Sequence, residues 1–204
     1  MKRRTSTGLC CQEIERNQEC PILKKLFKAA KKSYWKILEK EVVDEIIFRT
    51  DNDRNRLMLE LMARGGMRVG EVLKLRAEDI DDRKLSLMDP KSKREGEVVF
   101  IPQKLAERLK EYIREIGIDP GQRVFPISYT AARVAVSKAG NLVGIHLRPH
   151  DLRRHAATYA SRSGTPIEIV SKVILRHANL STTQRYLVKV SDLEAMRWIE
   201  NLYG

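Results

Sequence analysis

The sequence predicts a mainly α-helical fold with a small antiparallel β-sheet, an α+β class, on three observations. Apolar residues recur at helical spacing through most of the chain beyond about residue 38. A single stretch, "IDDRKLSLMDPKSKREGEVVFIP", changes to the period of strands and turns. The 204 residues, 42% of them apolar, suffice for one good-sized core with an appendage, and not for a second full domain.

The elements follow in order. Residues 1–37 form a basic N-terminal arm: the first 40 residues hold eleven Lys/Arg against four Asp/Glu. Within it, Leu23, Leu26, Phe27, Ala30 and Tyr34 fall at helical spacing among lysines, so part of the arm is expected to be helical. "EVVDEIIF" and "RNRLMLELMARGG" read as two helices, the second stopped by Gly65 and Gly66, and "VGEVLKLR" begins a third. Two short strands, Leu85 to Met88 and Val98 to Ile101, flank a lysine-rich turn closed by Pro102. "QKLAERLKEYIREIG" is helical again, with Leu105, Leu109, Tyr112, Ile113 and Ile116 on one face. Helices are also expected over "SYTAARVAVSKAG", "PHDLRRHAATYASRSG", "PIEIVSKVILRH" and "STTQRYL". A last helix over residues 191–204 opens with a Ser191 to Glu194 capping box and is amphipathic through Leu193, Met196, Ile199 and Leu202.

Charge narrows the function. A formal net charge of +12 favours a polyanionic partner through long-range attraction and counterion release, and nucleic acid is the first candidate. The chain has no apolar run long enough to cross a membrane and no signal-peptide core, so a soluble, cytoplasmic, nucleoid-associated protein is expected. Cys10, Cys11 and Cys20 match no zinc spacing and read as free thiols, and no metal is expected.

Four places concentrate polar groups that a packed helical domain does not need. "GGMRVGE" sets Arg68 at a helix start behind a glycine pair. The turn "DPKSKRE" carries Lys91 and Lys93. "RPHDLRRH" puts His150 and Arg153 on one face of a helix opened by Pro149, where ring, guanidinium and free backbone N–H groups together make an oxyanion site. In "LRHANLSTTQRY", His177 precedes Tyr186 by nine positions, so the segment has to turn, near "ANLS", before the tyrosine is presented.

The stretches "GGMRVGEVLKLRAEDID", "PHDLRRHAATYASRSG" and "LRHANLSTTQRY" resemble the signature boxes of the tyrosine recombinases, the phage-integrase and Xer-type site-specific recombinases. The resemblance covers roughly residues 38 to 190, in the family's order and spacing, and implies the tyrosine recombinase catalytic-domain fold. By it, Arg68 looks like the first catalytic arginine with Glu71 as the acid that orients it, His150 and Arg153 are the "HxxR" pair, His177 is the next catalytic position, and Tyr186 is the nucleophile. Counted forward from Arg68 the family's lysine falls on Lys91; counted back from Pro102, Lys93 fits as well, and Lys91 is the choice.

These residue types suit phosphodiester chemistry. The pentacoordinate transition state carries nearly two negative charges, so fixed cations and donors must be in place before attack. Arginine offers a planar fork to the non-bridging oxygens, which lysine cannot reproduce. Nearby guanidinium groups make the Tyr186 phenolate more accessible than its unperturbed pKa of about 10 allows. The resemblance implies attack by Tyr186 to give a 3′-phosphotyrosine, protonation of the leaving 5′-oxygen by Lys91, assistance from His150 and a phosphate contact from His177, with no cofactor, metal or ATP. It also implies double-stranded DNA as partner, a homo-tetramer on synapsed sites with the C-terminal helix docking on a neighbouring protomer, and room for accessory proteins. Arg133 and Lys138, on one helix, are further candidates for DNA contact. One departure stands out: about 37 residues precede the catalytic region, too few for the helical core-binding domain of most relatives. The competing readings are a non-catalytic DNA-binding remnant of a mobile-element integrase and a type IB topoisomerase-like activity.

Overall fold

The computed structural model describes residues 38–87 and 97–184, together with 187, 196 and 199–201. The chain divides into two units, residues 1–36 and 37–204, and the description concerns the second. The basic arm and its expected helix, Lys91, Lys93, Tyr186 and the Ser191 to Glu194 capping box lie outside the described residues.

The described elements run α1 (Lys40–Phe48), α2 (Asp53–Arg64), α3 (Val69–Lys74), a 3₁₀ turn (Ala77–Asp79), β1 (Ile80–Asp81), β2 (Lys84–Leu87), β3 (Glu97–Phe100), α4 (Gln103–Ile116), α5 (Tyr129–Asn141), α6 (Pro149–Arg162), α7 (Ile167–Ile169) and α8 (Leu180–Gln184). This is the mainly helical class with a small antiparallel sheet that the periodicity predicts. The sheet has the order β1-β2-β3, with Leu85 opposite Val99 and Leu87 opposite Glu97. The third strand, β1, was not expected; its two residues are too few to show a period, and a turn through Asp82 at φ +48° folds it onto β2.

Helix α2 is the centre of the core. Leu57, Met58, Leu59, Leu61, Met62 and Ala63 are all buried, so the second half of the helix is enclosed on every side, and the helix packs against α1, α3, α4, α5 and α6. Its start is fixed by Asn52, whose side chain accepts a hydrogen bond from the Asn55 N–H at 3.0 Å. Glu60, buried in the same helix, forms an ion pair with Arg108 of α4. α6 begins as expected at Pro149, with Asp151 accepting from the Arg148 N–H at 3.0 Å.

The helix expected over residues 166–177 is shorter and irregular. After α7 the chain continues as a π turn, Val170–Ile174, in which the Leu175 N–H reaches the Val170 carbonyl at 2.9 Å. Arg176 then takes a left-handed backbone, φ +50°, and the helix is over. His177 thus stands beyond the helix rather than on it, and the chain bends again at Ala178 and Asn179, within "ANLS", before α8 begins at Leu180.

Candidate active site

Arg68 is the N-cap of α3, placed there because Gly66, at φ +62°, turns the chain sharply out of α2. Glu71, one turn into α3, is buried and reaches back: its Oε2 accepts the Arg68 N–H at 2.8 Å and its Oε1 accepts from Arg68 Nη1. The carboxylate therefore holds both the backbone and the guanidinium of Arg68. Burial alone would raise the Glu71 pKa; the charges of Arg176 and Arg68 and the Arg68 N–H outweigh it and hold the carboxyl below its usual range.

α6 supplies His150 and Arg153. Together with Met67, Arg68, Glu71, Lys74, Tyr129, Arg133, Arg148 and Pro149 they line a cleft of about 570 Å³. Five of its lining residues are cationic and one is acidic, so its field favours an anion. His150 has its pKa lowered by desolvation in the cleft and by Arg154, Arg153 and Arg68, against the opposing charge of Asp151. Arg153 is only 1% exposed at the cleft floor. Its Nη1 donates to the Gly66 carbonyl and its Nη2 to the Leu175 carbonyl. The fork expected to face a phosphate is engaged instead with two backbone oxygens, because the side chain is buried between the loops that precede Arg68 and His177.

His177 completes the group. It is buried, and burial, with the charges of Arg153, Arg68, Arg176 and His150, lowers its pKa to about 4. Its backbone N–H donates to the Ser171 carbonyl, while the ring Nδ1 lies 2.9 Å from Thr183 Oγ1, which itself donates to Ser171 Oγ at 2.9 Å. With the threonine proton engaged in this way, the neutral imidazole carries its proton on Nδ1 and leaves Nε2 as an acceptor. Thr183 and Ser171, both fully buried, are site residues that the sequence reading missed; the hydroxyls of "STTQ" were its only signal. Thr183→Val should leave His177 Nδ1 and Ser171 Oγ without this partner and lower stability by about 1–3 kcal/mol, read as a shifted urea midpoint at unchanged slope.

The structure thus brings together Arg68, Glu71, His150, Arg153 and His177 from three separate stretches of chain. Arg133 joins them on the cleft wall, whereas Lys138, also exposed, is not among the cleft residues, five positions further along α5 and so on another side of that helix. Lys91 and Lys93 lie in sequence between Leu87 of β2 and Glu97 of β3, and Tyr186 two residues after Gln184, the last of α8; all three are outside the described residues.

Solved structures share this fold. A crystal structure of XerA recombinase superposes with a TM-score of 0.71 at 21% identity, over 85% of this chain and 66% of that one. The Tn1549 transposon integrase in complex with transposon right end DNA gives 0.68 at 13% identity, over 85% of this chain and 68% of that one. The fold is that of tyrosine recombinase catalytic domains. In sequence, the tyrosine recombinase XerA of Pyrococcus horikoshii is 31% identical over 188 residues, covering 85% of this chain and 65% of its own length. The Phage integrase family profile matches residues 36–191, and the chain belongs to that family. It spans less than two thirds of the length of that curated relative. Among the described residues, no helix is long and apolar enough to cross a membrane.

Proposed function

We propose that this chain cleaves and rejoins double-stranded DNA at specific sites through a 3′-phosphotyrosyl intermediate at Tyr186. The observation that carries the reading is the convergence of Arg68, His150 and Arg153 on one cationic cleft, with the buried His177 near enough for their charges to depress its pKa. Arg68, half-buried and steered by Glu71, donates to the non-bridging oxygens of the scissile phosphate. Arg153 acts from beneath as a fixed charge that water cannot screen. His150, neutral near pH 7, assists proton removal from Tyr186, which attacks phosphorus as the bond to the 5′-oxygen breaks. Lys91, or Lys93 on the same turn, donates the proton that makes that oxygen a hydroxyl. Resealing is the reverse step with a second 5′-hydroxyl, so neither metal nor ATP takes part. Arg133 and the half-exposed Tyr129, one turn apart on α5, extend the cleft along the DNA. Exposed Met196 and Ile199 suit the C-terminal segment to docking on a neighbouring protomer in a tetramer.

His177 can hydrogen-bond the phosphate only as a donor, which for Nε2 requires protonation. DNA binding near pH 6 should therefore take up a proton, seen as a dependence of the binding enthalpy on buffer ionisation, and His177→Asn should remove it. Absence of uptake in the unmodified protein would reject this contact.

The test of the function is covalent capture. The protein is incubated without metal on nicked DNA from the flanks of its own gene, and any SDS-resistant adduct is digested and mapped by mass. A phosphotyrosyl peptide containing Tyr186 supports the reading. DNA binding with no adduct would favour a binding remnant, and relaxation of supercoiled DNA without strand exchange a topoisomerase-like activity.

A further inference from the structure

Arg176 has no role in the chemistry above, yet it occupies an unusual position. Its φ of +50° is left-handed, a region that costs a residue with a side chain on the order of 1–2 kcal/mol relative to glycine. Its side chain is nevertheless directed inward and is buried. Nη2 donates to Glu71 Oε2 at 2.6 Å, Nη1 donates to the Ile174 carbonyl at 2.9 Å, and Nε lies 3.6 Å from Glu97 Oε2. Glu71 is the carboxylate that holds Arg68. Glu97 is the first residue of β3, opposite Leu87, and follows in sequence the segment that contains Lys91 and Lys93. Charges therefore alternate from Arg68 to Glu71, Arg176 and Glu97, linking the start of α3, the backbone beside His177 and the start of β3.

We infer that Arg176 is a positioning residue that fixes the start of β3, at Glu97, relative to Arg68 and His177. Without it, Glu71 loses the strongest of the charges that hold it ionised, and the contact that ties α3 to the start of β3 is broken. The backbone strain at 176 is tolerated because no glycine could make this bridge. The role in catalysis rests on the phosphodiester-cleavage reading; the coupling of the segments does not.

The test compares Arg176→Gly, which suits the left-handed backbone while removing the bridge, with Glu97→Gln, which leaves residue 176 untouched. Single-turnover adduct formation at saturating nicked DNA is measured across pH, alongside amide hydrogen exchange at residues 68–72 and 97–100. Arg176→Gly should slow the reaction roughly 10- to 100-fold, the size of effect that a misplaced catalytic group produces, with DNA affinity nearly unchanged. Its acidic limb should move to higher pH, because Glu71 loses a cation that keeps it ionised. Exchange should quicken in both segments for Arg176→Gly, and at 97–100 for Glu97→Gln. Unaltered rate, acidic limb and exchange in Arg176→Gly would overturn the inference; if that variant does not fold, unaltered rate and exchange in Glu97→Gln would do so. If the unmodified protein forms no adduct, the functional reading fails, and the exchange measurements alone decide the coupling.

Discussion

Arg153→Lys is expected to lower both stability and reaction rate, the two losses arising from one geometry. The planar guanidinium spans two backbone carbonyls, Gly66 ahead of Arg68 and Leu175 ahead of His177, from a position 1% exposed. A lysine ammonium keeps the charge but directs its donors from a single atom, and it cannot bridge two oxygens set for a fork. One buried carbonyl is then left without its donor, which costs about 1–3 kcal/mol. Because these carbonyls belong to the loops that present Arg68 and His177, both groups lose their setting. The adduct rate should fall on the order of 10²- to 10³-fold, the loss typical of removing a preorganised transition-state donor. Urea titration with single-turnover kinetics checks this. A stable Arg153→Lys variant with unimpaired rate would show that charge alone suffices at this position.

The site residues were legible where the chemistry imposes a residue type at a spacing. Arg68 behind a glycine pair, His150 and Arg153 one turn apart, and His177 ahead of a polar turn could each be read from the chain, and four of these side chains meet at one place. Helices with a strong apolar period, such as α4, were equally plain. What stayed hidden depends on tertiary context. The π turn at Val170–Ile174 has no distinctive composition, and an arginine between Leu175 and His177 gives no sign that its backbone is left-handed or its side chain buried. The engagement of Arg153 with backbone carbonyls was likewise unreadable, because a local motif identifies a side chain and not the distant loops that close over it.

Gly66→Ala is the second large effect. Glycine is required here twice over. At φ +62° a side chain is strained by about 1–2 kcal/mol, and a Cβ would lie 2.8 Å from both Cγ2 and the carbonyl oxygen of Ile174. The oxygen belongs to backbone that Arg176 Nη1 also bonds, so relief by moving residue 174 would disturb the approach to His177. The Gly66 carbonyl is itself one of the two oxygens held by Arg153, so a shift of the glycine backbone would release that contact as well. Stability should fall by more than about 2 kcal/mol, within the range that backbone strain and overpacking together produce. Gly70→Ala, four residues on, provides the contrast. No atom lies within 4 Å of its added Cβ, and within α3 the exchange should stabilise by up to about 1 kcal/mol. Thermal unfolding of the two variants side by side separates the readings. Equal, small effects would mean that the turn at Gly66 can relax without cost, and that the close approach of Ile174 does not constrain the cleft.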